Sequence, residues 1–221
     1  MKAKEYSLRE KKYARTKIAI MNAFMERLKK SRFDDISVKK VCVDAEVAEG
    51  TFFNYFPEKI DVIGYYLSLA TVKIVWKARR ETPAGRYLPL IDMVFSQLSG
   101  EVYNNNLMYQ IISVLLAQDE RPRKITISAL EKELAFPDCP GIEETSPVLF
   151  EEWFKECIIL AQKNGELPAA VNADDLVISL MTIMCGTLLA IRFRDSDSRG
   201  GHYKRQLQAL WRGVGAKEQN K

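Results

Sequence analysis

The sequence predicts an all-α protein: a front unit of three helices in helix-turn-helix arrangement, followed by a larger helical domain. Three observations carry this. Apolar residues recur at intervals of three and four almost throughout, and strand-type alternation is scarce. The 221 residues are 47% hydrophobic and 28% charged, a composition that builds a buried core. Helix-start and helix-stop chemistry punctuates the chain at regular distances.

The elements follow in order. Residues 11–30 place Met21, Phe24 and Leu28 on one stripe, a first helix. Ser37 is a candidate N-cap for a short second helix, with Ile36 and Val41 as its hydrophobic staple. Val38, Val41, Cys42 and Ala45 supply its apolar face. A new apolar segment begins at Val47, so two short helices follow a longer one, the size of a helix-turn-helix. Pro57 suits the first turn of a long helix that ends near Glu81, before Pro83.

Residues 86–134 predict three further helices, broken near Gly100 and Pro122, and Phe136–Thr145 reads as a loop. Ser146 and Pro147 predict the next helix start, and Lys163-Asn164-Gly165 its end. Asn172 caps another start, stapled by Val171 and Leu176, and a last helix covers about 203–212. Domains are therefore expected at 1–57 and 58–221, with no flexible linker between them.

Charge is unevenly placed. Residues 1–32 carry eleven basic and three acidic side chains, an excess of eight within a net charge of +4, so the other 189 residues sum to −4. A basic front end on a faintly acidic body suits a polyanionic partner. The first residues contain no apolar stretch fit for a signal peptide, and a cytoplasmic location is expected. Leu176–Ile191 is a charge-free run of sixteen residues, short of the roughly 20 that span a bilayer, and reads as a buried helix. Cys42, Cys139, Cys157 and Cys185 form no C-x-x-C pair, and His202 is the only histidine. No cofactor, metal site or His-based catalysis is expected. The paired carboxylates Glu143-Glu144 and Glu151-Glu152 read as solvated charges, so no enzyme activity is expected. A helical carrier of small molecules and a protein-binding adaptor remain the rival classes.

The run Phe33–Lys59, FDDISVKKVCVDAEVAEGTFFNYFPEK, resembles the DNA-binding domain of the TetR family of bacterial transcription regulators. A hydroxyl residue opens the second helix, Val41-Cys42 and Ala45-x-Val47 follow, then Gly50-Thr51-aromatic-aromatic, Tyr55-Phe56 and Pro57-x-Lys59. The resemblance is tight over about residues 10–65. It implies that Ala48, Glu49 and Gly50 lie where the family reads bases, with Lys39 and Asn54 nearby. Ser37, Thr51, Tyr55 and Lys59 fall on its phosphate-contacting positions. From the residues alone, Ser37 is equally well an N-cap, and the others ordinary surface groups. Phe52 and Phe56 look like core. Three positions depart from the pattern. Glu46 stands where the turn usually has Gly, and a strained positive φ there would reshape the turn. Ala48 replaces a hydroxyl cap, and Phe53 a frequent Tyr.

The resemblance further implies an effector-binding, dimerising C-terminal domain, hence a ligand-responsive homodimeric repressor on a pseudo-palindromic operator. The same fold would also suit an activator. The apolar run Leu176–Ile191 supports a dimer independently, with Ser179, Thr182 and Gly186 as a small-residue stripe and Phe150, Trp153, Phe154 and Cys157 as partners. Trp76, Phe95, Tyr103, Met108, Tyr109, Ile112, Met181 and Met184 are candidate linings of a pocket for an unidentified small molecule. No membrane partner is expected.

Overall fold

A computed structural model describes residues 5–103, 107–117, 125–146, 149–193 and 201–216. These residues form α1 (Leu8–Leu28), α2 (Val38–Asp44), α3 (Glu49–Tyr55), α4 (Lys59–Glu81), α5 (Tyr87–Tyr103), α6 (Leu107–Leu116), α7 (Ala129–Ala135), α8 (Phe150–Lys163), α9 (Ala173–Arg192) and α10 (His202–Gly213). A short 3-10 turn lies at Ile142–Glu144, and no strand occurs among the described residues. The architecture is all-α, as the periodicity predicts.

Local chemistry explains the boundaries. α1 starts three residues earlier than its apolar stripe, because Ser7 and Glu10 close a reciprocal capping box. Asn172 caps α9, its side chain accepting from the Asp174 and Asp175 amides. α8 ends as predicted, with Asn164 at its C-cap and Gly165 at φ 68°. Three boundaries differ from expectation. α4 opens at Lys59, beyond Pro57, with the Asp61 carboxylate accepting from the Glu58 amide at 2.9 Å. α5 runs through Gly100. Leu149, not Ser146, is the N-cap of α8; Pro147 and Pro122 lie outside the described residues.

The chain divides into two compact units, and the boundary falls inside α4. Unit 1 comprises residues 1–73 and 106–147; unit 2 comprises 74–105 and 148–221. This differs from a division after residue 57. The first half of α4 supplies Val62, Ile63, Tyr65 and Leu69 to the same core as Phe24, Phe52 and Phe56, and Leu107, Ile111 and Val114 of α6 join them. The core of unit 2 is built from the second half of α4, with Ile74, Val75 and Ala78, and from α5, α8, α9 and α10, with Phe95 stacked on Phe154 at 5.6 Å between ring centroids.

Candidate nucleic-acid interface

The α2–turn–α3 segment is held from beneath. Val41 and Cys42 of α2 and Phe52 and Phe56 around α3 are buried, so both short helices face the same core. Arg27 of α1 reaches across to α2, with Nε 2.7 Å from Asp44 Oδ2 and a guanidinium N–H donated to the Lys40 carbonyl at 3.2 Å. Burial, then the Glu49 charge, push the Cys42 thiol up, so it serves as a small apolar filler.

The turn keeps its left-handed residue despite Glu46. Glu46 adopts φ 55°, the one non-glycine residue with positive φ among those described. The Val47 amide donates to the Cys42 carbonyl at 2.9 Å and the Glu46 amide to the Val43 carbonyl at 3.2 Å. These are the two bonds of a Schellman ending, which satisfy the last carbonyls of α2. The expected reshaping of the turn is therefore corrected. Two hydrogen bonds and the packing of Val47 hold the backbone where a side chain costs about 1–2 kcal/mol.

This scaffold exposes one edge of α3. Ala48, Glu49, Gly50 and Asn54 are exposed, Thr51 and Tyr55 half-buried, and Phe53 is half exposed. Ala48 caps α3 without any side-chain bond. A Cβ built on Gly50 would meet no heavy atom within 4 Å, so the fold itself makes no demand for glycine there. Ser37 occupies the N-cap of α2 and is exposed, yet its side chain makes no capping bond. Ser7 and Ser128, in contrast, both close capping boxes. Lys39 and Lys40 are exposed on α2.

Lys59 is engaged within the chain. Its ammonium donates to the carbonyls of Phe33 at 3.0 Å, Asp34 at 3.4 Å and Ile36 at 3.3 Å, and lies 4.8 Å from the Phe33 ring centroid. These contacts tie the start of α4 to the loop before α2 and would compete with a phosphate for the ammonium. Sequence reasoning missed a second consumed cation, Lys17, which is buried against Glu131 at 2.9 Å. Its place on the same stripe as Met21 and Phe24 was the only available signal.

In unit 2 the dimer candidates separate. Trp153, Phe154 and Cys157 are buried within the single chain and offer no surface to a second copy. They face inward because α8 packs this side on α5 and α9. Burial pushes the Cys157 thiol up to about 12. Phe150, Ser179 and Gly186 are half-buried and Thr182 is exposed. Exposed apolar side chains remain on α9, where Ile178 is 64% and Leu189 37% exposed with Thr182 and Cys185 between them on one stripe, and on α8, where Ile159 and the N-cap Leu149 are also exposed. The opposite side of α9 carries Leu176, Leu180 and Leu188 into the core. By length and composition Ala173–Ile191 would also suffice to cross a membrane, while Leu176, Val177 and Leu180 on it lie in the core of unit 2.

The pocket candidates also separate. Phe95 lines a cavity of about 730 Å³ beside α5 and α10, together with Asp92, Ser96, Lys204 and Trp211. Trp211 Nε1 donates to Asp92 Oδ1 at 2.8 Å on its wall. Trp76, Met181 and Met184 belong to unit 2 without lining this cavity, while Met108, Tyr109 and Ile112 belong to unit 1. The Tyr103 side chain lies outside the described residues. Among the described residues, no group of three His, Cys, Asp or Glu side chains could hold a metal ion.

No family model matches the chain, and no curated protein matches its sequence. Solved structures do. Thermus thermophilus FadR, a TetR-family transcriptional repressor solved with lauroyl-CoA, superposes with a TM-score of 0.57 at 18% identity, over 93% of this chain and 98% of its own. NalD of Pseudomonas aeruginosa, the secondary repressor of the MexAB-OprM multidrug efflux pump, gives 0.52 at 14% identity, over 92% and 98%. Salmonella enterica GusR gives 0.55 at 15% identity, over 91% and 96%. Similarity at this level of identity speaks for the fold.

Proposed function

We propose that this chain, which has the fold of the TetR-family transcriptional regulators, is itself a DNA-binding regulator that acts as a homodimer. The observation that carries the reading is the exposed N-terminal edge of α3. Ala48, Glu49 and Gly50 project there from a buried Phe52–Phe56 anchor, and the uncapped Ser37 hydroxyl and Tyr55 flank them. A recognition helix enters the major groove by its N-terminal residues while flanking groups grip phosphates. Gly50 lets the backbone come close to a base edge, and Glu49 accepts from a cytosine amine. Thr51, Asn54 and Lys39 complete the contact set. Lys59 supports the reading by fixing the loop before α2 rather than by touching DNA.

Two such helices must meet successive major grooves about 34–36 Å apart, which requires a second copy. The uncovered α9 stripe Ile178–Thr182–Cys185–Leu189 supports a dimer through that helix. The cavity of about 730 Å³ in unit 2 falls in the range of small-molecule sites. An effector bound there would act by population shift, favouring a dimer conformer with another helix spacing. Repression follows if the operator overlaps a promoter.

Selection of bound sequences from random duplex DNA, at two salt concentrations, tests this. Enrichment of an inverted repeat that survives the higher salt is expected, with loss of that binding in Ser37→Ala/Tyr55→Phe at unchanged melting temperature. Weak binding to every duplex that vanishes with salt would leave only a basic front end and sink the proposal.

A further inference from the structure

The charge-bearing centre of unit 1 lies beneath the reading surface rather than on it. Lys17 of α1 is 6% exposed and Glu131 of α7 only 3%. Lys17 Nζ sits 2.9 Å from Glu131 Oε1 and donates to the Thr126 carbonyl at 3.4 Å. The same Glu131 oxygen accepts from the Tyr65 hydroxyl of α4 at 2.9 Å, and Oε2 accepts from the Ser128 amide at 2.7 Å. The ammonium lies 4.3 Å from the Tyr65 ring centroid and 5.9 Å from that of Tyr13. Tyr13, one turn before Lys17 on α1, is packed on Tyr55 of α3 with centroids 4.6 Å apart.

Contacts therefore run without a gap from α7 through α1 to α3. A buried ion pair is a weak source of net stability, because well-packed apolar side chains of the same volume do as well. What it supplies is position. A buried ammonium is tolerated only where its anion stands, so Glu131 fixes where Lys17, and with it the facing side of α1, must lie. The Tyr13 ring follows, and Tyr55 rests on that ring.

We propose that Glu131, far from the helix-turn-helix in sequence, is a positioning residue for DNA binding: through Lys17 and Tyr13 it holds Tyr55 at the reading surface. The inference rests on Tyr55 contacting DNA, as in the function proposed above.

A double-mutant cycle on the full chain tests it, using the duplex that the unmodified protein selects from a random library. Dissociation constants are measured for Tyr55→Phe, Glu131→Gln and their combination. A second cycle replaces Glu131→Gln by Tyr13→Leu, which alters a half-exposed ring, leaves the buried pair intact and decides the matter if Glu131→Gln does not fold. Each single change is expected to weaken binding about tenfold, as for a lost hydrogen bond to a charged group. Each combination is expected to be no weaker than its weaker parent, because both changes act on one contact. Losses that multiply to about a hundredfold would overturn the relay, since general destabilisation gives that result. So would unchanged affinity in Glu131→Gln or Tyr13→Leu, or in Tyr55→Phe, while the unmodified chain still selects a duplex. Failure of the unmodified chain to select any duplex strikes the DNA-binding reading first, and the relay with it.

Discussion

Gly50→Ala separates what the fold needs from what the interface needs. Gly50 lies in the first turn of α3, in ordinary helical backbone, and a Cβ there meets no atom within 4 Å. No steric term opposes the methyl group. Alanine in place of a helical glycine stabilises by about 0.5–1 kcal/mol through the smaller entropy of the unfolded chain. For a chain of this size that raises the melting temperature by about 1–3 °C. In the groove the sign reverses. The methyl occupies the space that a base edge would take, and loss of one good base contact costs about 1–3 kcal/mol, roughly five- to a hundredfold in affinity. The assay is paired: a thermal or urea melt, and binding to the selected duplex. A variant that is more stable and binds as tightly as the parent would show that α3 does not approach DNA by this edge. A less stable variant would mean that the space at Gly50 has been misjudged.

Glu46→Gly relieves the left-handed backbone of the turn and is expected to stabilise by about 1 kcal/mol, read as a higher urea midpoint at unchanged slope, whereas Glu46→Val should lower it. Lys59→Met keeps the stem but strips three carbonyls of their donor, so a loss of about 1–3 kcal/mol is expected in the absence of DNA; an unchanged midpoint with weakened DNA binding would return this side chain to the phosphate. Burial raises the Glu131 carboxyl, but hydrogen bonds from Ser128 and Lys17 outweigh that and hold it below the usual carboxylate range. Its contribution is thus complete above the unfolded value of about 4.3 and lost as pH falls through the folded one, so the acid limb of the stability curve should be flatter in Glu131→Gln than in the parent. Ile178→Glu puts a charge at the most exposed apolar residue of the α9 stripe, and sedimentation should report a monomer where the unmodified chain is expected to give a dimer.

The one-dimensional pattern was enough for the class of fold and for much of its punctuation. Helical periodicity depends only on neighbours three and four residues away, so it survives reading without coordinates. Caps such as Asn172 and Gly165 are equally local, because their hydrogen bonds close within a turn. The apolar face of α2 was legible for the same reason, while the reading of Gly50–Phe56, with Phe52 and Phe56 as core, came from its resemblance to a known family, and both side chains are indeed buried.

Only the tertiary structure decided which side chains remain available. Lys17 and Lys59 carry the same charge as Lys39, yet two are consumed by partners that sequence spacing does not reveal, Glu131 in one case and three loop carbonyls in the other. Spacing alone assigns the aromatic side of α8 to a partner subunit, whereas packing on α5 and α9 turns Trp153 and Phe154 inward. α6 and α7 joined the unit of the helix-turn-helix although α3 ends at Tyr55 and they begin only at Leu107 and Ala129. The physical reason is common to all of these. A helix specifies by its own sequence which residues share a face, but what covers that face, and what satisfies a charge on it, is settled by segments distant in the chain.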